Sequence, residues 1–152
     1  TYLFSIKRKL PFLILLDVIA CVAPIGIFFG RIANFVNAEL VGKATNISWS
    51  VIFPTIDTLP RHPSQLYEAF LEGIILFIIL NMCIMRKNYK IGTCSYLFLV
   101  SYGFFRIVSE FFREPDVQVG YLFNLFSMGT ILSFLMILVG ITLFAFVKKN
   151  EI

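Results

Sequence analysis

Long apolar runs separated by short clusters of basic residues set the pattern of this chain. Four stretches are apolar and long enough to cross a hydrocarbon core, at residues 11–32, 64–85, 91–112 and 127–147. A helix rising about 1.5 Å per residue needs about 20 such residues to span about 30 Å of hydrocarbon. No alternating strand pattern of about ten residues occurs, so helices are expected rather than an outer-membrane barrel. The expected fold is an all-α polytopic bundle with four transmembrane helices, residues 1–152 lying in one integral membrane domain.

The basic clusters orient these spans. Lys7, Arg8 and Lys9 precede the first, Arg86, Lys87 and Lys90 separate the second from the third, and Lys148 and Lys149 follow the fourth. Eight of the thirteen Lys and Arg residues thus fall on one side, which the positive-inside rule places in the cytoplasm. A multi-pass membrane protein follows, with residues 33–63 and 113–126 on the outer face. Arg31, Lys43, Arg61, His62 and Arg113 then lie at that outer side, against the bias, and need a different reason to be there.

Composition agrees. Residues are 59% hydrophobic and 14% charged, where a soluble domain carries about 25% charged residues. The net charge of +4 is explained by the membrane-orienting clusters, so no nucleic-acid partner is expected. Cys21, Cys83 and Cys94 are odd in number, lack C-x-x-C spacing and lie in or beside apolar runs, which predicts free thiols. The chain opens at Thr1, and it reads as the C-terminal portion of a longer protein.

Polar groups inside the spans carry the candidate chemistry. Arg31 stands 22 residues beyond Lys9, about 33 Å along a helix, and Arg106 stands 16 beyond Lys90, about 24 Å. Counted back from Arg86, Glu72 and Glu68 lie at about 21 and 27 Å. Tyr102, Arg106 and Glu110 form one helical stripe, and Gln65, Glu68 and Glu72 form another. An ionised residue at mid-membrane costs about 2.5 to 3.5 kcal/mol even on lenient scales, so facing stripes of this kind predict a wet cavity opening outward. Arginine's planar fork suits phosphate oxygens, which lipid headgroups supply at this depth.

Blander readings remain open at this point. Arg106 pairing with Glu68 or Glu72 as a helix lock, with Arg31 snorkelling to the interface, makes the chain a scaffold. A charged path for ions or solutes makes it a transporter subunit. Gly26 and Gly30 form a G-x-x-x-G expected to bring helix backbones close, and Pro24 is expected to kink its helix. Val18-Ile19-Ala20-Cys21 imitates a lipoprotein lipobox, but Asp17 interrupts the preceding run. No H-E-x-x-H or carboxylate cage offers a metal site.

Four ordered blocks separate these readings: GRIANFVNAELVGKAT from Gly30, RHPSQLYEAFLEG from Arg61, YGFFRIVSEFFREPD from Tyr102 and FSMGTILS from Phe126. They resemble the prolipoprotein diacylglyceryl transferases, whose signature commonly reads GRIGNFINGELWG. That family has seven spanning helices, and a catalytic histidine in an HGG segment that would precede Thr1, so this portion alone is expected to be inactive. The resemblance implies transfer of a diacylglyceryl group from phosphatidylglycerol to the lipobox cysteine of a lipoprotein precursor signal peptide, at an outward-facing site of the bacterial inner membrane, without a cofactor. It implies that Arg31, Asn34, Glu39 and Gly42 bind phosphatidylglycerol and that Tyr102, Arg106 and Glu110 are catalytic, with Glu39 and Glu110 holding arginines in place. Ala33 and Ala38 stand where the family usually has glycine, and Val41 where an aromatic is common. Alanine is strained at either position if the glycine there uses positive φ.

Overall fold

A computed structural model describes residues 2–114, 121–122 and 126–150. Helix α1 (Tyr2–Arg8) precedes α2 (Phe12–Val36), and Pro24 lies within α2 without ending it. A connection containing β1 (Val51–Ile52) and β2 (Pro60–Arg61), paired antiparallel, leads to α3 (Ser64–Glu68). A π-helical segment (Ala69–Ile75) joins α3 to α4 (Leu76–Ile84) as one continuous helix. Then come α5 (Thr93–Glu110), the short strands β3 (Tyr121–Leu122) and β4 (Phe126–Ser127), and α6 (Met128–Asn150).

Three helices, Phe12–Val36, Ser64–Ile84 and Met128–Lys149, are long and apolar enough to cross a membrane. The expected stretch 91–112 is the helix α5, which is not among these three: it carries Arg106, Glu110 and several Ser and Tyr residues and is less apolar. The bundle is inverted relative to a soluble domain. Val22, Phe29, Ile78, Phe134, Leu138 and Ile141 point outward, whereas Asp17, Gln65, Glu68, Glu72 and Arg106 are buried. Such an arrangement is stable where the surrounding solvent is lipid and the interior holds the polar groups.

Close helix contacts come from glycines other than the pair expected. A Cβ on Gly26 or Gly30 meets nothing within 4 Å, so that G-x-x-x-G does not bring backbones together among the described residues. Instead, a Cβ on Gly73 falls 3.0 Å from Phe28 Cα, which fixes the π-helical segment against α2. Gly103 of α5 faces Ser133 O and Ile137 of α6, while Gly140 of α6 faces Leu99 and Val100 of α5.

Toward the basic-cluster end, Ala20, Cys21, Leu76, Leu80 and Cys94 form the buried apolar core. The three cysteines are free thiols. Asp17, buried in α2, accepts hydrogen bonds from Ser95 N at 2.7 Å, Ser95 Oγ, Gly92 N and the Tyr89 hydroxyl. One carboxylate thereby satisfies the orphan amides opening α5 and complements the positive end of its dipole.

At the other end, the connection between α2 and α3 folds back over the bundle. Arg61, buried, donates to Gly42 O at 2.9 Å and pairs with Asp57, at 2.6 Å, and with Glu114. Its guanidinium holds the Asp57 carboxyl below the usual carboxylate range. Lys43 Nζ donates to Phe111 O at 3.0 Å. These internal ties explain why basic residues occur on the side that the charge bias disfavours.

Candidate active site

The polar cluster is built from three elements. Near the end of α2, Arg31 sends Nε and Nη2 to Glu72 Oε2, at 3.3 and 3.0 Å, and Nη1 to Glu68 Oε2, at 3.1 Å. From α5, Arg106 Nη1 lies 2.9 Å from both Glu68 Oε1 and Glu110 Oε2. Arg113, just beyond α5, places Nη1 3.9 Å from Glu68 Oε1. Glu68 is thus a fully buried carboxylate facing guanidinium groups from α2, α5 and the segment after α5.

Three guanidiniums and three carboxylates leave the cluster with no formal surplus of charge. Burial of so many ions is tolerable only when each is paired and hydrogen-bonded. Yet Gln65 Oε1, Glu72 Oε1 and Ser109 Oγ are buried with no hydrogen-bond partner among the described residues. A lock serving helix packing alone has no reason to retain such atoms. Arg31 itself is 15% exposed and, with Ile27, Gly30, Asn34 and Tyr102, lines a cavity of about 230 Å³. Glu72 Oε2 accepts from Nε and Nη2 of Arg31, Glu68 Oε2 faces Nη1 as an ion pair without accepting a hydrogen bond, and Tyr102 is a further hydrogen-bond partner of Arg31 at the cavity wall.

Gly30 therefore opens space beside Arg31. Tyr102 stacks on Phe98 at 5.6 Å, and this contact fixes its ring at the cavity wall. The expected trio on α5 divides its work: Arg106 and Glu110 pair with each other, whereas Tyr102 joins the α2 cavity. The start of α6 closes over the pair, since a Cβ on Gly129 falls 3.0 Å from Arg106 Nη2 and 3.2 Å from Glu110 Oε2.

Two expected residues lie elsewhere. Glu39 does not hold an arginine: its side chain is exposed and no ion pair among the described residues involves it, while its backbone carbonyl accepts from Gln65 Nε2 at 2.7 Å. Gly42 does not line the cavity. It bridges to Arg113, and a Cβ there collides with His62 O and falls 2.9 Å from Phe112 O, so its role is to let the connection dock. Glu68, Glu72, Arg113 and Gly129 complete the site around the implied residues. For the two glutamates the signal was their shared stripe with Gln65.

The alanine departures differ in consequence. Ala33 is helical, but Ala38 adopts φ 56°, the left-handed region that favours glycine. Ala38→Gly is expected to raise stability by about 0.5 to 1 kcal/mol, read as a higher unfolding midpoint of the full-length protein in detergent. An unchanged or lower midpoint contradicts strain at this turn.

The comparisons with known proteins point one way. A family model described as prolipoprotein diacylglyceryl transferase matches residues 1–146. A phosphatidylglycerol–prolipoprotein diacylglyceryl transferase of Rickettsia bellii is 56% identical over 144 residues, covering 93% of this chain and 55% of that protein. One from Rickettsia typhi is 53% identical over 141 residues, covering 91% of this chain and 54% of its own length. The chain spans about half the length of the curated relatives it matches.

Proposed function

Since this chain belongs to the prolipoprotein diacylglyceryl transferase family, we propose that it forms part of an enzyme transferring diacylglyceryl from phosphatidylglycerol to a lipobox cysteine. The observation that carries this reading is the buried carboxylate Glu68 shared by Arg31 and Arg106, beside a cavity that Arg31 lines with Asn34 and Tyr102.

The acceptor sulfur attacks glyceryl C3 as a thiolate, forming a thioether. The C3–O bond breaks, its electron pair stays on the phosphate oxygen, and glycerol 1-phosphate leaves; the thiol proton passes to that leaving phosphate or to water. Two arginines suit the phosphate half of this step. Their remaining N–H groups bind the phosphodiester and stabilise the charge that develops on the leaving oxygen. Asn34 and Tyr102, on the same cavity wall, orient headgroup oxygens. Glu68, Glu72 and Glu110 hold the guanidiniums in direction, so phosphate recognition depends on N–H geometry more than on net charge. Thiol deprotonation needs a base or positive field, and no group in this chain is assigned to it.

On this reading α5 is a membrane span as well, the third of four in chain order; the burial of Ser95, Arg106 and Ser109 within the bundle supports it despite its lower apolarity. The basic clusters support an orientation with the Arg31 end of the bundle on the outer side of the inner membrane. Cysteine introduced at Asn46 is expected to react with an impermeant thiol reagent from outside intact inner membranes, and cysteine at Asn88 is not. The reverse pattern overturns the orientation.

The direct test is transfer itself. The full-length protein carrying this region, in vesicles containing phosphatidylglycerol, is expected to convert a lipobox peptide to its thioether-linked form. Absence of the product from a folded, vesicle-inserted protein refutes the proposed function.

A further inference from the structure

Asp17 is the buried ionisable group that the chemistry above leaves unused. It stands 14 residues before Arg31 on α2, about 21 Å along the helix, and no ion pair among the described residues involves it. Its two oxygens each accept two hydrogen bonds, and all four donors belong to the start of α5 or to the turn before it. Oδ1 takes Ser95 N at 2.7 Å and Ser95 Oγ at 2.5 Å, while Oδ2 takes Gly92 N at 2.5 Å and the Tyr89 hydroxyl. Gly92 adopts φ 92°, and a Cβ there falls 2.8 Å from Val147 Cγ2 of α6 and 3.5 Å from Leu13 Cδ1 of α2, so the same turn is wedged between both helices.

What this tie fixes is the axial position of α5 against α2, and those two helices carry the site in halves. Ile27, Gly30, Arg31 and Asn34 of α2 wall one cavity with Tyr102 of α5, and Arg106 follows Ser95 by 11 residues, about 16 Å. An α-helix keeps its rise per residue, so a displacement of Ser95 along the axis carries Tyr102 and Arg106 with it. At the site end the helices meet through ion pairs, since Arg31 and Arg106 share Glu68 of α3. Those guanidiniums also have to meet the lipid phosphate, so a register set there alone is disturbed by the substrate it serves. Asp17 sets it at the opposite end. The apolar core begins one turn beyond Asp17 with Ala20 and Cys21 and reaches Leu76, one turn from Glu72. A dry core of this kind carries no proton to the site, so an effect of Asp17 there passes through the backbone it holds.

We infer that Asp17 is a positioning residue for diacylglyceryl transfer: its carboxylate, on α2, holds the start of α5 and thereby sets Tyr102 and Arg106 against Arg31. The inference rests on the function proposed above and adds to that reaction a residue outside the site. Capping alone does not require this arrangement, because a carboxylate in the first turn of α5 serves the orphan amides of its own helix. Here the carboxylate comes across from α2. It also draws in the Ser95 and Tyr89 hydroxyls, which are not orphan amides, so both ends of the turn are bound to the neighbouring helix.

The test uses the full-length enzyme in phosphatidylglycerol vesicles, with kcat measured per inserted protein at saturating lipid and lipobox peptide, below the unfolding midpoint of every variant. Asp17→Ala is expected to lower the midpoint and to reduce kcat by roughly 10- to 100-fold, the scale on which a misplacement of about 1 Å acts on aligned reacting groups. Ser95→Glu is then added to it. A glutamate at the third position of α5 reaches back to Gly92 N and restores a cap within α5 without restoring the link to α2. The double variant is expected to recover the midpoint and not kcat. Recovery of both reduces Asp17 to a cap and overturns the inference, as does wild-type kcat in Asp17→Ala. If Asp17→Ala fails to insert, or the double variant does not recover the midpoint, Asp17→Asn decides. It keeps the size and one acceptor oxygen but turns an amide NH2 on the donors of α5, and kcat is expected to fall by roughly 10-fold; wild-type kcat overturns the inference. In all these outcomes the wild type transfers diacylglyceryl, so the proposed function stands; absence of transfer by the wild type refutes that function instead.

Discussion

Arg31→Lys and Arg106→Lys are each expected to lower diacylglyceryl transfer by the full-length enzyme by roughly 10- to 150-fold, the equivalent of about 1.5 to 3 kcal/mol of transition-state stabilisation. Lysine keeps the positive charge at both positions, so a site working by charge alone is nearly indifferent to the change. Arg31 instead spans two carboxylates through three nitrogens and lines the cavity beside Tyr102. An ammonium is a point charge that reproduces one of those directions at a time. Initial rates of peptide lipidation, compared at matched protein level and membrane insertion, measure the effect. Wild-type rates in both variants return the arginines to a packing role.

Glu68→Ala is expected to cost about 3 to 5 kcal/mol of stability, because it leaves guanidinium groups from two helices buried around an uncompensated gap. Glu68→Gln keeps the shape and one acceptor and is expected to lose less. Glu72→Ala removes the partner of Arg31 only, and falls between wild type and Glu68→Ala. Unfolding midpoints in detergent rank the three. A Glu68→Ala protein as stable as wild type shows that water or another residue takes over the pairing and that Glu68 is not the keystone of the cluster.

Much of this architecture is legible in the sequence because lipid imposes a simple length rule. The expected stretch 64–85 is the continuous helix Ser64–Ile84, and 127–147 begins one residue before Met128. The first span runs to Val36 rather than residue 32, since Arg31, Asn34 and their neighbours continue the helix toward the interface. The facing stripes were likewise readable, because an arginine and a glutamate at matched depth have few alternatives to each other. What stayed hidden was set by backbone detail. Nothing in Ala69–Ile75 marks a π-helical turn by periodicity, as its residues also satisfy an α pattern. Gly26 and Gly30 carry the spacing of a contact motif yet border open space, whereas the isolated Gly73 makes the close approach. Spacing records which face a residue occupies, not what the fold later brings to that face. Glu39 shows the same limit: its block is readable, but a turn at Ala38 sends its side chain away from the arginines.

The separation of Arg31 from its partners along the chain has a consequence for assembly. Glu72 lies 41 residues after Arg31, and at about 5 to 20 residues per second the ribosome delivers it roughly 2 to 8 seconds later. During that interval Arg31 is without the carboxylates that hold it in the finished bundle. Arg106 emerges later still, 38 residues after Glu68, and docks onto a carboxylate already engaged by Arg31. Chain order thus imposes an order of pairing in which Arg31 meets Glu68 and Glu72 before Arg106 reaches Glu68.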